Sequence, residues 1–167
     1  RMDVISMISK DPDYPDGPVK DGLYGDLMPY VCNGPHVHEY LAEFKRDVLD
    51  HYDCFTLAEA PMVDPKTALK YIKEGPDQEI DMMIQFQTQC ADSFLSDYYP
   101  MPFSLKKLKK AFSRWQNQLE GKAWNMLYLE NHDHPRIVSR YGSEEFREAS
   151  AKTLAAAYLF QQGTPFL

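Results

Sequence analysis

Apolar residues in this chain recur in two alternating rhythms. Val37, Leu41, Phe44 and Val48 fall on one helical face behind Pro35, which predicts a helix from about His36 to His51. Cys54 to Ala58 is a short apolar run with aromatic and β-branched members and reads as a strand. Asp64-Pro65 combines an N-cap with a first-turn proline and opens a helix to about Lys73. Ile80 to Phe86 is a second strand-like run. Ser104 caps a helix whose Leu105, Leu108, Phe112, Trp115 and Leu119 form one stripe, with Gly121 as its stop. Trp124 to Leu129 is a third strand. Ser143 caps a last helix to about Phe160, and Gly163-Thr164-Pro165 breaks it before Phe166-Leu167.

Strand and helix alternating at this pace indicate βα units and a parallel sheet, an α/β chain. Strands buried on both faces explain the near-continuous apolar runs. Arg1 to Ile5 is expected to be an opening strand, and Phe166-Leu167 a closing one. With both termini inside strands, residues 1–167 read as one incomplete domain without an internal boundary, a piece of a larger barrel. The stretch from Asp11 to Pro35 holds nine Pro and Gly residues, a density that excludes a helix or a central strand. A loop this long is usually functional or disordered, and its Tyr14, Tyr24 and Tyr30 favour an ordered one.

Composition narrows the classes. The 167 residues carry 18 Lys and Arg against 25 Asp and Glu, a net charge of −7 that argues against nucleic acid as a partner. No apolar stretch approaches the ~18 residues of a membrane span, and the start lacks a signal-peptide pattern. Cys32, Cys54 and Cys90 are odd in number and lack CxxC spacing, which disfavours a disulfide framework or a zinc site and points to a reducing, cytoplasmic setting. His36 and His38, two apart, have a spacing open to metal ligation, but no metal site is expected. The run Lys106, Lys107, Lys109 and Lys110 reads as the solvated face of its helix.

Chemistry concentrates in three acids. Asp3 sits on the first strand, Glu59 directly follows the strand ending at Ala58, and Asp133 follows the strand ending at Leu129. Strand-end acids often cap helices or sit in solvated loops. Three of them at the C-terminal ends of three parallel strands, however, occupy the edge where βα architectures build active sites.

Arg1-Met2-Asp3-Val4-Ile5, Ala58-Glu59-Ala60-Pro61 and Asn131-His132-Asp133, in this order, resemble three motifs of glycoside hydrolase family 13, the α-amylase superfamily, and within it the bacterial oligo-1,6-glucosidase branch. Asn33-Gly34-Pro35 with His38-Glu39, Asp81 to Phe86, and Gln162-Gly163-Thr164-Pro165 resemble the segments between and after them. The resemblance runs from end to end. It implies a partial (β/α)8 TIM barrel, about the fourth to the eighth strand, so that residues 1–167 form the C-terminal part of the catalytic barrel domain. The first three strands, an inserted small domain and a C-terminal β-domain lie outside. The remainder of the barrel is then the chain's obligate partner. Hydrolysis is expected only from the full-length enzyme, because an opened barrel leaves unpaired strand edges.

The resemblance further implies a retaining α-glucosidase that removes terminal α-1,6-linked glucose from isomalto-oligosaccharides. It assigns Asp3 as nucleophile, Glu59 as general acid and then base, and Asp133 as the third carboxylate, which binds sugar hydroxyls and stabilises the transition state. Glu59 must hold a proton near neutral pH while Asp3 stays ionised. Arg1, two residues before Asp3, points to the same side of the strand and orients it. His132 hydrogen-bonds the sugar, and Arg136 lines the rim or forms a surface ion pair. His134 stands where close relatives often carry Gln. Val4 follows the nucleophile and is expected on the opposite face of the strand, shaping the pocket mouth. In the family, Val at this position accompanies α-1,6 preference, and Ala or Thr accompanies α-1,4 preference. No cofactor is implied, and any calcium site would lie outside this segment. The alternatives within the family are a trehalose-6-phosphate hydrolase or another α-glucosidase. The alternative of another class is a non-catalytic barrel serving as a protein partner, and retention of all three acids argues against it.

Overall fold

The computed structural model describes residues 1–19, 22, 24–94 and 96–166, excepting the side chains of residues 94 and 96–100. The chain forms two compact units, Arg1–Gln85 and Phe86–Leu167.

The first unit contains α1 (Met28–Val31), α2 (Val37–Asp47), β1 (Leu57–Glu59), α3 (Pro65–Ile72) and β2 (Met82–Ile84). β1 and β2 pair in parallel, with Leu57 beside Met82 and Glu59 beside Ile84. A clasp at the start of both strands sets this register. The Thr56 backbone N–H and hydroxyl both donate to Asp81 Oδ2, at 2.6 and 2.8 Å, and the Asp81 N–H donates to Thr56 Oγ1. α3 packs behind β2 through buried Ala68, Tyr71 and Ile72. Its cap is as expected: Asp64 accepts from the Thr67 N–H at 2.8 Å, a contribution of about 1 kcal/mol. α2 buries Val37 and Leu41 and ends at Asp47, and a separate 3-10 turn covers Leu49–His51.

The second unit contains β3 (Ser93–Phe94), β4 (Ser96–Pro100), α4 (Leu105–Leu119), β5 (Met126–Leu127), α5 (Ile137–Tyr141), α6 (Arg147–Leu159) and β6 (Thr164–Pro165). β5 and β6 are parallel, and β3 and β4 are antiparallel. Leu108, Phe112, Leu127, Leu129, Ile137, Tyr141, Leu154 and Tyr158 form its core. Ser104 caps α4, and the four lysines of that helix lie exposed as expected. Buried Asp92 pairs with Arg140, and the Tyr141 hydroxyl accepts from the Ala91 N–H.

Several expectations are corrected. The opening segment is a single bridge between Met2 and Ala58 followed by a 3-10 turn over Ile5–Met7, not a strand to Ile5. Val4 explains the break: its φ of 39° is left-handed and cannot continue a strand. The closing strand is Thr164–Pro165, earlier than expected, and Leu167 lies outside the described residues. The Pro- and Gly-rich stretch does hold a helical turn, α1, because Pro29 sits in its first turn where a missing N–H costs nothing. Ser143 accepts from the Phe146 N–H at 3.4 Å, but α6 begins only at Arg147. The sequence reading missed α5 and the β3–β4 hairpin. Leu105 of the α4 stripe is exposed.

Candidate active site

In the first unit the register of Met2 builds the site. Its N–H donates to the Leu57 carbonyl at 2.8 Å, and its carbonyl accepts from the Glu59 N–H at 2.9 Å. Alternate residues of paired strands share a face. Arg1 and Asp3, flanking Met2, therefore stand on the side of Leu57 and Glu59. Arg1 Nη2 donates to both Asp3 Oδ1, at 2.7 Å, and Glu59 Oε2, at 2.9 Å. Two carboxylate oxygens on one nitrogen can be no further apart than two hydrogen bonds laid end to end. That is the scale, about 5–5.5 Å, at which one carboxylate can attack an anomeric carbon while the other protonates the leaving oxygen.

The two acids differ in environment. The Glu59 side chain is 8% exposed and that of Asp3 68%. Burial, with the hydrogen bond and charge of Asp3 beside it, pushes the Glu59 carboxyl above the usual glutamate range, and Arg1 pulls against this shift. Glu59 is thus fitted to hold and give a proton. The structure ends β1 on Glu59 itself, one residue later than expected. Val4 is 41% exposed in its left-handed conformation, so it lies at a turn beyond the bridge and not on the opposite face of a strand. A β-branched residue there carries strain, as functional sites often do.

In the second unit a loop from Glu130 to Arg136 leads from β5 into α5 and carries His132 and Asp133. Asn131 Oδ1 accepts from the Asp133 N–H at 3.1 Å, and its carbonyl accepts from the His134 N–H at 3.4 Å, which folds the loop into a tight turn. Both side chains of the pair are exposed, with His132 Nε2 3.5 Å from Asp133 Oδ1. Glu130 staples the loop at its base. It accepts from the Ile137 N–H at 2.6 Å and from Arg136 Nη1 at 2.5 Å. Arg136 is therefore held in an ion pair at the loop's end.

The first unit thus brings Arg1, Asp3 and Glu59 together, and the second brings His132, Asp133 and Arg136 onto one loop. The sequence singled out Asn33 only as part of a segment between the acid motifs and gave Tyr71 and Glu130 no role; Asn33, held by Tyr71, binds the loops after Asp3 and Glu59, and Glu130 binds the loop of His132 and Asp133. Asn33-Gly34-Pro35 was the available signal, since Asn and Gly together mark a backbone that must turn. His36 and His38 go separate ways, to Glu39 at 3.0 Å and to Glu79 at 2.9 Å. Among the described residues no three His, Cys, Asp or Glu side chains converge to hold a metal ion, and no helix is long and apolar enough to cross a membrane.

Comparison with known proteins gives these features a context. Residues 1–167 match the family model of the alpha amylase catalytic domain. The chain is 46% identical over 170 residues to the oligo-1,6-glucosidase of Parageobacillus thermoglucosidasius, covering all of this chain and 30% of that protein. It is 45% identical over 174 residues to the alpha-glucosidase of Pediococcus pentosaceus, again with 100% and 30% covered. The crystal structure of Bacillus licheniformis trehalose-6-phosphate hydrolase superposes on it with a TM-score of 0.85 at 38% identity, over 100% of this chain and 30% of that one. The chain thus spans 30% of the length of the curated relatives it matches. With its parallel strand pairs, Glu59 at the end of β1 and a match over every residue, the chain belongs to the alpha-amylase family of glycoside hydrolases, as part of the catalytic domain.

Proposed function

We propose that this chain is the fourth-to-eighth-strand portion of the barrel of a retaining α-glucosidase, which removes terminal α-1,6-linked glucose from isomalto-oligosaccharides. The observation that carries the reading is the single Arg1 nitrogen shared by an exposed Asp3 and a buried Glu59. Asp3 attacks the anomeric carbon, the glycosidic bond breaks, and the Glu59 proton passes to the leaving oxygen. Glu59, now a base, takes a proton from water. The water oxygen attacks the same carbon and the ester to Asp3 breaks, which regenerates both groups and releases glucose as the α-anomer. Asp133 and His132 are assigned to sugar hydroxyls, and Arg136 to the rim. Similarity to oligo-1,6-glucosidase and alpha-glucosidase sequences supports this substrate class.

The test is made in the full-length protein. Asp3→Asn is expected to abolish turnover of isomaltose. Glu59→Ala should fail on isomaltose yet retain the first step on an α-glucoside with a good leaving group, which needs no protonation. Azide should then intercept the β-linked glycosyl-enzyme and give an α-glucosyl azide, read by proton NMR. A β-glucosyl azide from Glu59→Ala, or wild-type rates for Asp3→Asn, would overturn the assignment. The similarity to a solved trehalose-6-phosphate hydrolase favours a second reading, hydrolysis of that phosphorylated disaccharide. Comparing kcat/KM on isomaltose, maltose and trehalose-6-phosphate separates the two.

A further inference from the structure

Asn33 lies outside the three acid motifs, yet it touches the loop that follows each of the two acids in the first unit. Its backbone N–H donates to the Ser6 carbonyl at 2.7 Å, three residues after Asp3. Its side-chain Nδ2 donates to the Met62 carbonyl at 3.2 Å, three residues after Glu59. Its Oδ1 accepts from the Tyr71 hydroxyl at 2.6 Å. The same two loops meet again where Ser6 Oγ donates to the Pro61 carbonyl at 3.1 Å. Asn33 itself has φ 54°, a left-handed conformation that Asn tolerates better than most residues. Beside it, a Cβ at Gly34 would collide with the Ser9 carbonyl, so the backbone lies flat on the loop after Asp3.

The anchor behind Asn33 is rigid. Tyr71 is fully buried on α3, with the His38 ring 4.7 Å away and His38 held by Glu79 at 2.9 Å. Burial, aided by Glu79 and Cys32, pushes the Tyr71 hydroxyl up to about 12, so it remains a donor to Asn33.

We propose that Asn33, anchored by Tyr71, is a positioning residue that fixes the spacing of Asp3 and Glu59 by binding the loop after each. This rests on the reading of Asp3 and Glu59 as the reacting pair. A small change in that spacing is expected to act on the chemical step, because a misplacement of about 1 Å between reacting groups can cost roughly 100-fold in rate.

Asn33→Gly in the full-length protein removes the side chain while keeping a residue at ease at positive φ. It is expected to lower kcat on isomaltose by about 10–100-fold while leaving KM nearly unchanged. It should also move the alkaline limb of the kcat/KM profile to lower pH. Glu59 acts protonated, its proton is held partly by the nearness of Asp3, and separation weakens that hold. Tyr71→Phe should give a smaller change in the same direction, and it decides the matter if Asn33→Gly does not fold. A residue that served only folding would lower thermal stability and leave kcat and the pH limb of the folded enzyme alone. That outcome, with Asp3→Asn inactive, overturns the positioning role and leaves the functional reading standing. An active Asp3→Asn overturns both.

Discussion

Arg1 Nη2 stands 2.9 Å from Glu59 Oε2, so the group that orients the proposed nucleophile also opposes protonation of the proposed acid. Burial and Asp3 raise the Glu59 carboxyl, and Arg1 limits how far. One cation therefore couples the two carboxylates, and it reaches both because Met2 is bridged to Ala58.

Replacing it gives the first prediction. Arg1→Gln in the full-length protein removes the pull on Glu59, whose proton is then held to higher pH. Activity needs that proton and is lost as pH rises through the Glu59 pKa. The alkaline limb of kcat/KM on isomaltose should therefore move upward, opposite to the shift expected for Asn33→Gly, while kcat falls because Asp3 loses its partner. An unmoved limb would detach Arg1 from the ionisation of Glu59.

Val4 carries the second. Its partly exposed, left-handed position follows Asp3 directly, and on the proposed reading its branch methyls would obstruct one of the two paths open to an α-1,4- or α-1,6-linked second sugar. Val4→Ala removes both branch methyls and is expected to move the ratio of kcat/KM on isomaltose and maltose toward maltose. A methyl-sized change in a pocket is worth about 1–3 kcal/mol, or roughly 10–200-fold. An unchanged ratio in a folded enzyme would remove Val4 from linkage choice.

The third concerns the loop bearing His132 and Asp133. Glu130→Ala leaves the Ile137 N–H of a buried residue without its carboxylate, a cost of about 1–3 kcal/mol, and frees the loop at its base. Arg136→Ala removes only a surface partner, since that side chain is 84% exposed, and should cost about 0–1 kcal/mol. Urea unfolding of the two full-length variants measures the difference. Equal losses would show that the ion pair, not the backbone bond, closes the loop.

Local pattern alone determined much of this protein. The helical stripe of Leu108, Phe112, Trp115 and Leu119, the caps at Asp64 and Ser104, and the acids at the ends of apolar runs were all legible, because each depends on residues within one or two turns of chain. Arg1, Asp3 and Glu59 were likewise named from their motifs. Tertiary structure alone decided how they meet. The Met2–Ala58 bridge set which residues share a face, and burial with the nearness of Asp3 raised the Glu59 carboxyl. The clasps made by Thr56 with Asp81, Asn33 with Met62 and Tyr71, and Glu130 with Ile137 were invisible beforehand. Each polar group there answers a partner distant in sequence, or a backbone N–H that only the folded loop presents. Strand ends were misjudged for a related reason. Apolar runs continue past the paired residues, because burial favours the same side chains whether or not the backbone finds a neighbouring strand, and at Val4 a positive φ ends the strand where the composition would have carried it on.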